Sequence, residues 1–116
     1  MKDRKPLISN SLTGNQMLRV LLALANPHRL RIVAALRSNG RNYISQLARD
    51  VGISRPLLHL HLQKLEEAGL VTSQLELSSD GKALNFFEVT DFSFELCPAS
   101  ITAAIKSLTL QSTRLD

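Results

Sequence analysis

A serine and a glycine bracket a helical segment between residues 54 and 69, and this segment constrains the fold more than any other. Ser54 can cap a helix because its hydroxyl accepts a hydrogen bond from a free amide of the first turn, and Pro56 lies where a missing N–H has no cost. Gly69 suits the left-handed residue that follows a helix end. At about 100° per residue, one face collects three leucines: Leu58, Leu62 and Leu65. The sequence predicts a helix over residues 54–68 with that face buried.

A shorter helix is predicted just before it. Residues 45–51 direct Leu47, Ala48 and Val51 inward, Gly52 permits a turn with positive φ, and Ile53 fills the corner. Two helices joined by such a tight turn form a helix-turn-helix.

A hairpin is predicted directly after the glycine, over residues 70–90. Two alternating runs flank Asp80-Gly81, and an Asp-Gly pair in that position is a strong hairpin indicator. A helix-turn-helix followed by a hairpin is a winged helix, so the fold class we expect is α+β, mainly α: a winged helix-turn-helix flanked by N- and C-terminal dimerisation helices.

Helices are also predicted on both sides of this motif. Residues 14–25 are apolar around nearly the whole circumference, which calls for two burying surfaces, one of them a second subunit. Asn26 and Pro27 start another helix that ends at Asn39-Gly40, and a last helix over residues 98–111 carries an apolar stripe. We expect the stripe to pack on the first helix across a two-fold axis, with these interface residues: Met17, Leu18, Leu21, Leu22, Ile101, Ala104, Ile105 and Leu108.

Length and charge limit the organisation of the chain. In this chain of 116 residues we expect a single domain over residues 14–116. A polar arm over residues 1–13 precedes it, and we expect this arm to be mobile. Residues 1–64 hold eleven lysines and arginines against two acids, whereas residues 65–116 hold three against eight. The basic half contains the predicted recognition helix, which favours a polyanion as partner.

Ten residues are predicted to contact double-stranded DNA. Arg55 is the leading candidate for a base edge or phosphate, Arg41 and Arg49 are candidate phosphate contacts, and Lys82 lies at a wing tip where acidic neighbours oppose binding. Leu60 either meets thymine methyl groups or is an ordinary exposed leucine, whereas His61 is expected to be structural. The full set is Arg41, Arg49, Ser54, Arg55, Pro56, His59, Leu60, Gln63, Lys64 and Lys82.

The chain resembles the ArsR-type winged-helix transcriptional repressors over about residues 17–92. The likeness lies in NPHRLRI at residues 26–32, ISQLA at 44–48, ISRPLLHLHL at 53–62 and LEEAGLV at 65–71. It implies a dimeric repressor that inserts the predicted helix into the major groove and releases DNA when an effector binds. It does not identify the effector.

The expected ligands of the metal-binding members are missing. Residues 45–50 hold no cysteine, and the last helix holds no His, Asp, Glu or Cys. His59 and His61 are two residues apart and point to different faces, so we expect no metal and no cofactor. Cys97 is more typical of a small buried residue than of a redox switch. Because no phosphate-binding loop, carboxylate pair or activated nucleophile is evident, we expect no enzyme activity.

The function we expect is therefore a sequence-specific DNA-binding transcriptional regulator, a dimeric repressor that reads a palindromic operator through the major groove. Two-fold symmetry would place its half-sites about 10 bp apart. Two alternatives remain: a winged-helix protein interaction module, with Leu60 and the first helix facing a partner, and a thiol- or ligand-responsive sensor of the same family. The N-terminus lacks the apolar core of a signal peptide, and no apolar run approaches the roughly 20 residues that span a bilayer. We expect a cytoplasmic protein without a membrane partner.

Overall fold

The computed structural model describes residues 11–110 and has the winged helix-turn-helix fold. Within these residues the elements follow in chain order: α1 (Gly14–Leu24), α2 (Pro27–Asn39), β1 (Asn42–Tyr43), α3 (Ile44–Val51), α4 (Arg55–Glu67), β2 (Val71–Leu77), β3 (Ala83–Val89) and α5 (Pro98–Ile105). The strands form an antiparallel sheet in the order β1-β3-β2. The α+β, mainly α prediction is confirmed.

The predicted caps of α4 are present. Ser54 is the N-cap, and its Oγ accepts a hydrogen bond from the Leu57 N–H at 3.3 Å. At the other end Gly69 has φ of 79°, and the Leu70 N–H donates to the Leu65 carbonyl at 2.9 Å. Both ends of the helix are therefore stabilised by local hydrogen bonds, as the serine and glycine predict.

The turn between α3 and α4 also follows the sequence. Gly52 is left-handed with φ of 80°, and the N–H groups of Gly52 and Ile53 both donate to the Ala48 carbonyl. A side chain at Gly52 would be strained in this conformation. The glycine thus reverses the chain and sets the angle at which α4 leaves α3.

The core lies between the first four helices and the base of the sheet, and α1 contributes Val20 and Ala23 to it. The three leucines of the buried face of α4 are fully enclosed there, together with Ile32, Leu36, Leu47, Leu70, Val71 and Phe87. Burying a leucine contributes about 1.5 to 3 kcal/mol. This packing fixes the position of α4 on the protein.

The wing is the β2–β3 hairpin. Its register pairs Val71 with Val89 at the base and Leu77 with Ala83 near the tip. The turn closes through Ser78 N–H to the Lys82 carbonyl at 2.7 Å, with Gly81 at φ of 85°. The predicted Asp80-Gly81 hairpin is confirmed. The short β1 strand, which pairs with Phe86 and Phe87, was not predicted because two residues carry too little periodicity.

Helix α5 packs on α1 of its own chain, whereas the sequence predicted that its stripe packs on the first helix across a two-fold axis. The Gly14 N–H donates to Ser107 Oγ at 2.9 Å, and a Cβ on Gly14 would lie 2.5 Å from the Ala104 carbonyl oxygen. Met17 and Ala104 are buried by this intrachain packing. They are therefore not part of a surface free to meet a second chain.

Helix α5 is also shorter than predicted. It ends at Ile105 rather than near residue 111, so Leu108 follows the helix. The chain turns here because Asn15 holds it: Asn15 Oδ1 accepts from the Thr109 N–H at 3.1 Å, and Asn15 Nδ2 donates to Thr109 Oγ1 at 2.8 Å. The end of the predicted helix, residue 111, lies outside the described residues.

Most of the predicted N-terminal arm, residues 1–10, lies outside the described residues as well. Of the rest, Leu12 packs against the core and Thr13 caps α1 by accepting from the Gln16 N–H at 3.2 Å. Residues 12 and 13 of the predicted arm therefore contact the folded domain. In residues 11–110 we find no helix with the length and apolar character needed to cross a bilayer.

Candidate nucleic-acid interface

The outward face of α4 and its cap collects seven of the ten residues predicted to contact DNA. All seven are exposed, and no described segment of the chain covers them: Ser54, Arg55, Pro56, His59, Leu60, Gln63 and Lys64. The opposite face of the helix is held in the core by its three leucines. A rigidly seated helix with a free outer face can enter a major groove, which is wide enough for an α-helix.

Positive charge borders this face. Arg55 lies in the first turn and Lys64 in the last, and neither forms an ion pair with another residue in the range 11–110. Free cations at both ends of an exposed helix can neutralise phosphates on either side of a groove. The arrangement suits an elongated polyanion.

His61 lies on the same helix but faces inward, as predicted. Its ring is buried, and Nδ1 accepts a hydrogen bond from Arg29 Nε at 3.1 Å. Burial, followed by the positive charge of Arg29 and the neighbouring His28, lowers the pKa of His61 below its usual 6.5. The neutral ring therefore acts as a structural acceptor between α2 and α4.

Arg29 is a structural residue that the sequence did not identify. Besides His61, it binds the end of α1, because Nη1 donates to the carbonyls of Leu22 and Ala23 at 3.2 and 3.4 Å. One guanidinium thus connects α1, α2 and α4. No local pattern predicts the contact with His61, which lies 32 positions away in the sequence.

Arg41 is not a free phosphate contact in this structure. Its Nη2 pairs with Glu76 Oε2 on β2 at 2.6 Å, and its guanidinium lies 4.3 Å from the centre of the Phe86 ring. Antiparallel pairing of β1 and β2 with β3 brings these three residues together. A phosphate contact by Arg41 would require the ion pair to open.

The two remaining cations predicted to contact DNA, Arg49 and Lys82, lie outside α4, on α3 and at the tip of the wing. Arg49 is exposed on α3, where its Nη2 donates to Gln46 Oε1 at 2.6 Å. Lys82 is exposed at the wing tip beside Asp80, whose pKa is lowered mainly by a hydrogen bond from the Ser78 hydroxyl. The ionised aspartate offsets the lysine charge. We still predict that the wing contributes little to DNA binding.

Apolar side chains are exposed at the other end of the molecule. Ile101, Ile105 and Leu108 remain accessible beside α1, as the interface prediction requires, while Leu18, Leu21 and Leu22 are half-buried. The structure adds Leu96 and Leu110, both exposed, to this surface. Together with Ile101, Ile105 and Leu108 they form what we call the α5 surface.

No metal centre is formed by the part of the chain that the structure describes. Across residues 11–110, no three His, Cys, Asp or Glu side chains converge on a common point. Cys97 is half-buried at the start of α5, where its N–H donates to Ser100 Oγ at 3.0 Å.

Residues 24–74 match the sequence model of a helix-turn-helix domain family. An uncharacterized HTH-type transcriptional regulator from Methanocaldococcus jannaschii is 39% identical over 72 residues, which cover 62% of this chain and 74% of that protein. The matching regions include both helices of the helix-turn-helix.

Solved structures agree with this similarity. The solution structure of the homodimeric winged helix-turn-helix DNA-binding domain of a possible ArsR-family regulator from Mycobacterium bovis is 28% identical, with a TM-score of 0.57, and covers 65% of this chain and 64% of that one. The transcriptional repressor BigR from Xylella fastidiosa, at 23% identity and a TM-score of 0.55, shares the fold over 79% of this chain and 82% of its own. The similarity in sequence and that in structure both include the helix that exposes the candidate interface.

Proposed function

This chain belongs to the HTH-type transcriptional regulators, and we propose that it is an ArsR-like homodimeric repressor that binds a palindromic operator. It is a DNA-binding transcriptional regulator. We propose in addition which residues contact DNA, that the dimer has two-fold symmetry and that binding represses transcription. We also propose that the protein is not an enzyme. We propose that it acts in the cytoplasm, where it meets its operator.

The observation that carries the proposal is the exposed face of α4, opposite a fully buried leucine face. In the proposed complex this helix lies in the major groove. Arg55, His59 and Gln63 contact base edges or phosphates, and Lys64 and Arg49 contact the flanking backbone. Arg41 and Lys82 contribute little, because Glu76 and Asp80 offset their charges.

The homodimer rests on the α5 surface. Full burial of an isoleucine or leucine contributes about 1.5 to 3 kcal/mol. The side chains of the α5 surface are 36% to 59% exposed, so a second copy that covers them gains the corresponding part of that free energy for each. The Mycobacterium bovis domain of similar sequence is a homodimer. Two-fold symmetry sets the two copies of α4 about one DNA turn, some 10 bp, apart.

The test compares Arg55→Ala with Arg31→Ala, which removes an exposed arginine from α2. Operators are first selected by the wild-type protein from a randomised duplex library, and affinities are then measured by gel shift at two salt concentrations. If Arg55 contacts a base, its loss weakens operator binding by roughly 5- to 150-fold, equivalent to about 1 to 3 kcal/mol. Arg31→Ala leaves affinity close to that of the wild type.

The salt dependence provides a second criterion. Each phosphate neutralised adds about 0.9 to the slope of log affinity against log salt concentration. Affinity that ignores salt, together with equal binding by the two variants, would reject the proposal in favour of a protein interaction module.

A further inference from the structure

The exposed face of α4 is apolar in its first half. Pro56, Leu57 and Leu60 all reach the surface there, with 36% of Leu57 and 61% of Leu60 exposed. Residues three and four apart are neighbours on a helix, so Leu60 lies beside both others. We call these three residues the apolar strip.

The protein's own fold does not account for the strip. The buried side of α4 is complete without it, because the leucines at 58, 62 and 65 are already enclosed by α2, α3 and the sheet. Leu60 points away from that side. An exposed leucine at the centre of a binding face loses water only when a partner covers it.

We propose that the apolar strip contacts thymine methyl groups, with Leu60 as the principal specificity-determining residue. This rests on the proposed function, since it assumes that α4 enters the major groove. The first half of a recognition helix is the part that approaches base edges. On the major-groove edge the C5 methyl of thymine is the apolar group that a leucine can cover without leaving a base donor or acceptor unpaired.

The surroundings of the strip favour DNA over an apolar protein partner. Arg55 and His59 lie beside it, and Gln63 and Lys64 follow on the same exposed side of the helix. Arg55 and Lys64 have no ion-pair partner in residues 11–110, so a polyanion can bind beside the leucines. Each half-site is therefore expected to contain A·T pairs whose thymine methyls lie under Leu60 and Leu57.

The experiment removes the methyl groups without changing the base-pairing pattern. In an operator selected by the wild-type protein from a randomised duplex library, each thymine of the half-site is replaced in turn by deoxyuridine. At the contacted thymine we expect a loss of roughly fourfold in affinity, and of about fifteenfold when both half-sites are changed, from the usual contribution of one buried methyl group.

Leu60→Ala identifies the protein side of the contact. Because Leu60 is exposed, the variant keeps its fold, which circular dichroism verifies, and it binds the thymine and uracil operators with nearly equal affinity. Leu75→Ala, at a 68% exposed leucine on the wing, is the matched control and keeps the full preference for thymine.

Three results would overturn the inference while the proposed function stands. These are selected half-sites that lack thymine, uracil operators that bind as tightly as thymine operators, or a Leu60→Ala protein that retains the thymine preference. Failure to select any sequence from the library would instead reject sequence-specific DNA binding, and the inference with it.

Discussion

His61 lies on α4 but faces the protein interior. Its Nδ1 accepts from Arg29, and its ring centroid lies 5.4 Å from that of His28. His61 Nε2 and His28 Nδ1 are buried with no hydrogen-bond partner among the described residues. A proton added to Nδ1 would replace an acceptor with a donor that faces a guanidinium, so protonation opposes this packing.

Acidification should therefore destabilise the folded protein through His61. Since folding lowers the pKa of this histidine, the unfolded chain binds the proton more readily, and stability that is complete above pH 6.5 declines as the pH falls below that value. We expect the urea-derived free energy of unfolding to decrease between pH 7 and pH 5. The decrease should be smaller in His61→Asn, whose amide oxygen can still accept from Arg29.

His59→Asn is the control, because it alters an exposed histidine two residues away. It should retain the pH dependence of the wild type when all proteins are measured at one concentration. Equal losses in the wild type and His61→Asn would place the acid-sensitive group elsewhere.

At the scale of elements, an ion pair between the wing and the residue before β1 neutralises one of the cations predicted to contact DNA. Arg41, the residue before β1, pairs with Glu76 on β2, and its guanidinium lies over the Phe86 ring of β3. The sheet thus neutralises a cation that could otherwise reach phosphate. The pair is substantially exposed, and such pairs contribute about 0–1 kcal/mol to stability. The ion pair is therefore better understood as a limit on DNA contact than as a stabilising element.

Glu76→Gln should strengthen DNA binding with little change in stability. The substitution removes a negative charge from the wing and releases Arg41, which can then neutralise one further phosphate. The slope of log affinity against log salt should steepen by about 0.9 in a fluorescence anisotropy titration.

Glu88→Gln serves as the comparison, since it removes an exposed acid from β3 without releasing Arg41. If the two variants show the same slope, Arg41 does not reach the backbone even when it is freed.

At the scale of the whole molecule, the two binding surfaces depend on each other. One copy of α4 presents only one half-site contact, whereas a dimer through the α5 surface places two copies in fixed register. The Gly14–Ser107 and Asn15–Thr109 hydrogen bonds hold the end of α5 and the residues after it against α1 of the same chain, and the outer side of α5, where we propose that a second chain binds, stays exposed.

Ile105→Lys should convert the dimer to a monomer and weaken operator binding. Ile105 is 59% exposed, so the monomer fold tolerates lysine, but two isoleucines are lost from each dimer. Because 59% of each side chain is exposed, each contributes about 1 to 2 kcal/mol when it is covered, so their loss raises the dimer Kd at least roughly twentyfold. Sedimentation equilibrium at micromolar concentration gives the mass, to be compared with 12.8 kDa per chain.

Leu75→Lys makes the same change at an exposed leucine of the wing and should leave the protein dimeric. A wild-type protein that sediments as a monomer, or an Ile105→Lys protein that remains a dimer, would contradict the assignment of the α5 surface.

The sequence by itself determined the features that depend on near neighbours in the chain. Ser54 and Gly69 marked the ends of α4 because capping bonds span three to five residues, and Asp80-Gly81 marked the wing turn. The spacing of the leucines separated the buried face of α4 from the face that carries the candidate contacts. These are most of the fold and the main part of the site.

Tertiary structure alone decided which distant groups meet. Periodicity identifies an apolar face but not the chain that covers it, so the packing of α5 on its own α1, with Met17 and Ala104 buried, was not foreseen. The Arg41–Glu76 and Arg29–His61 contacts join residues 35 and 32 positions apart. Such contacts form only when the core brings whole helices and strands together, and no pattern within one element contains that information.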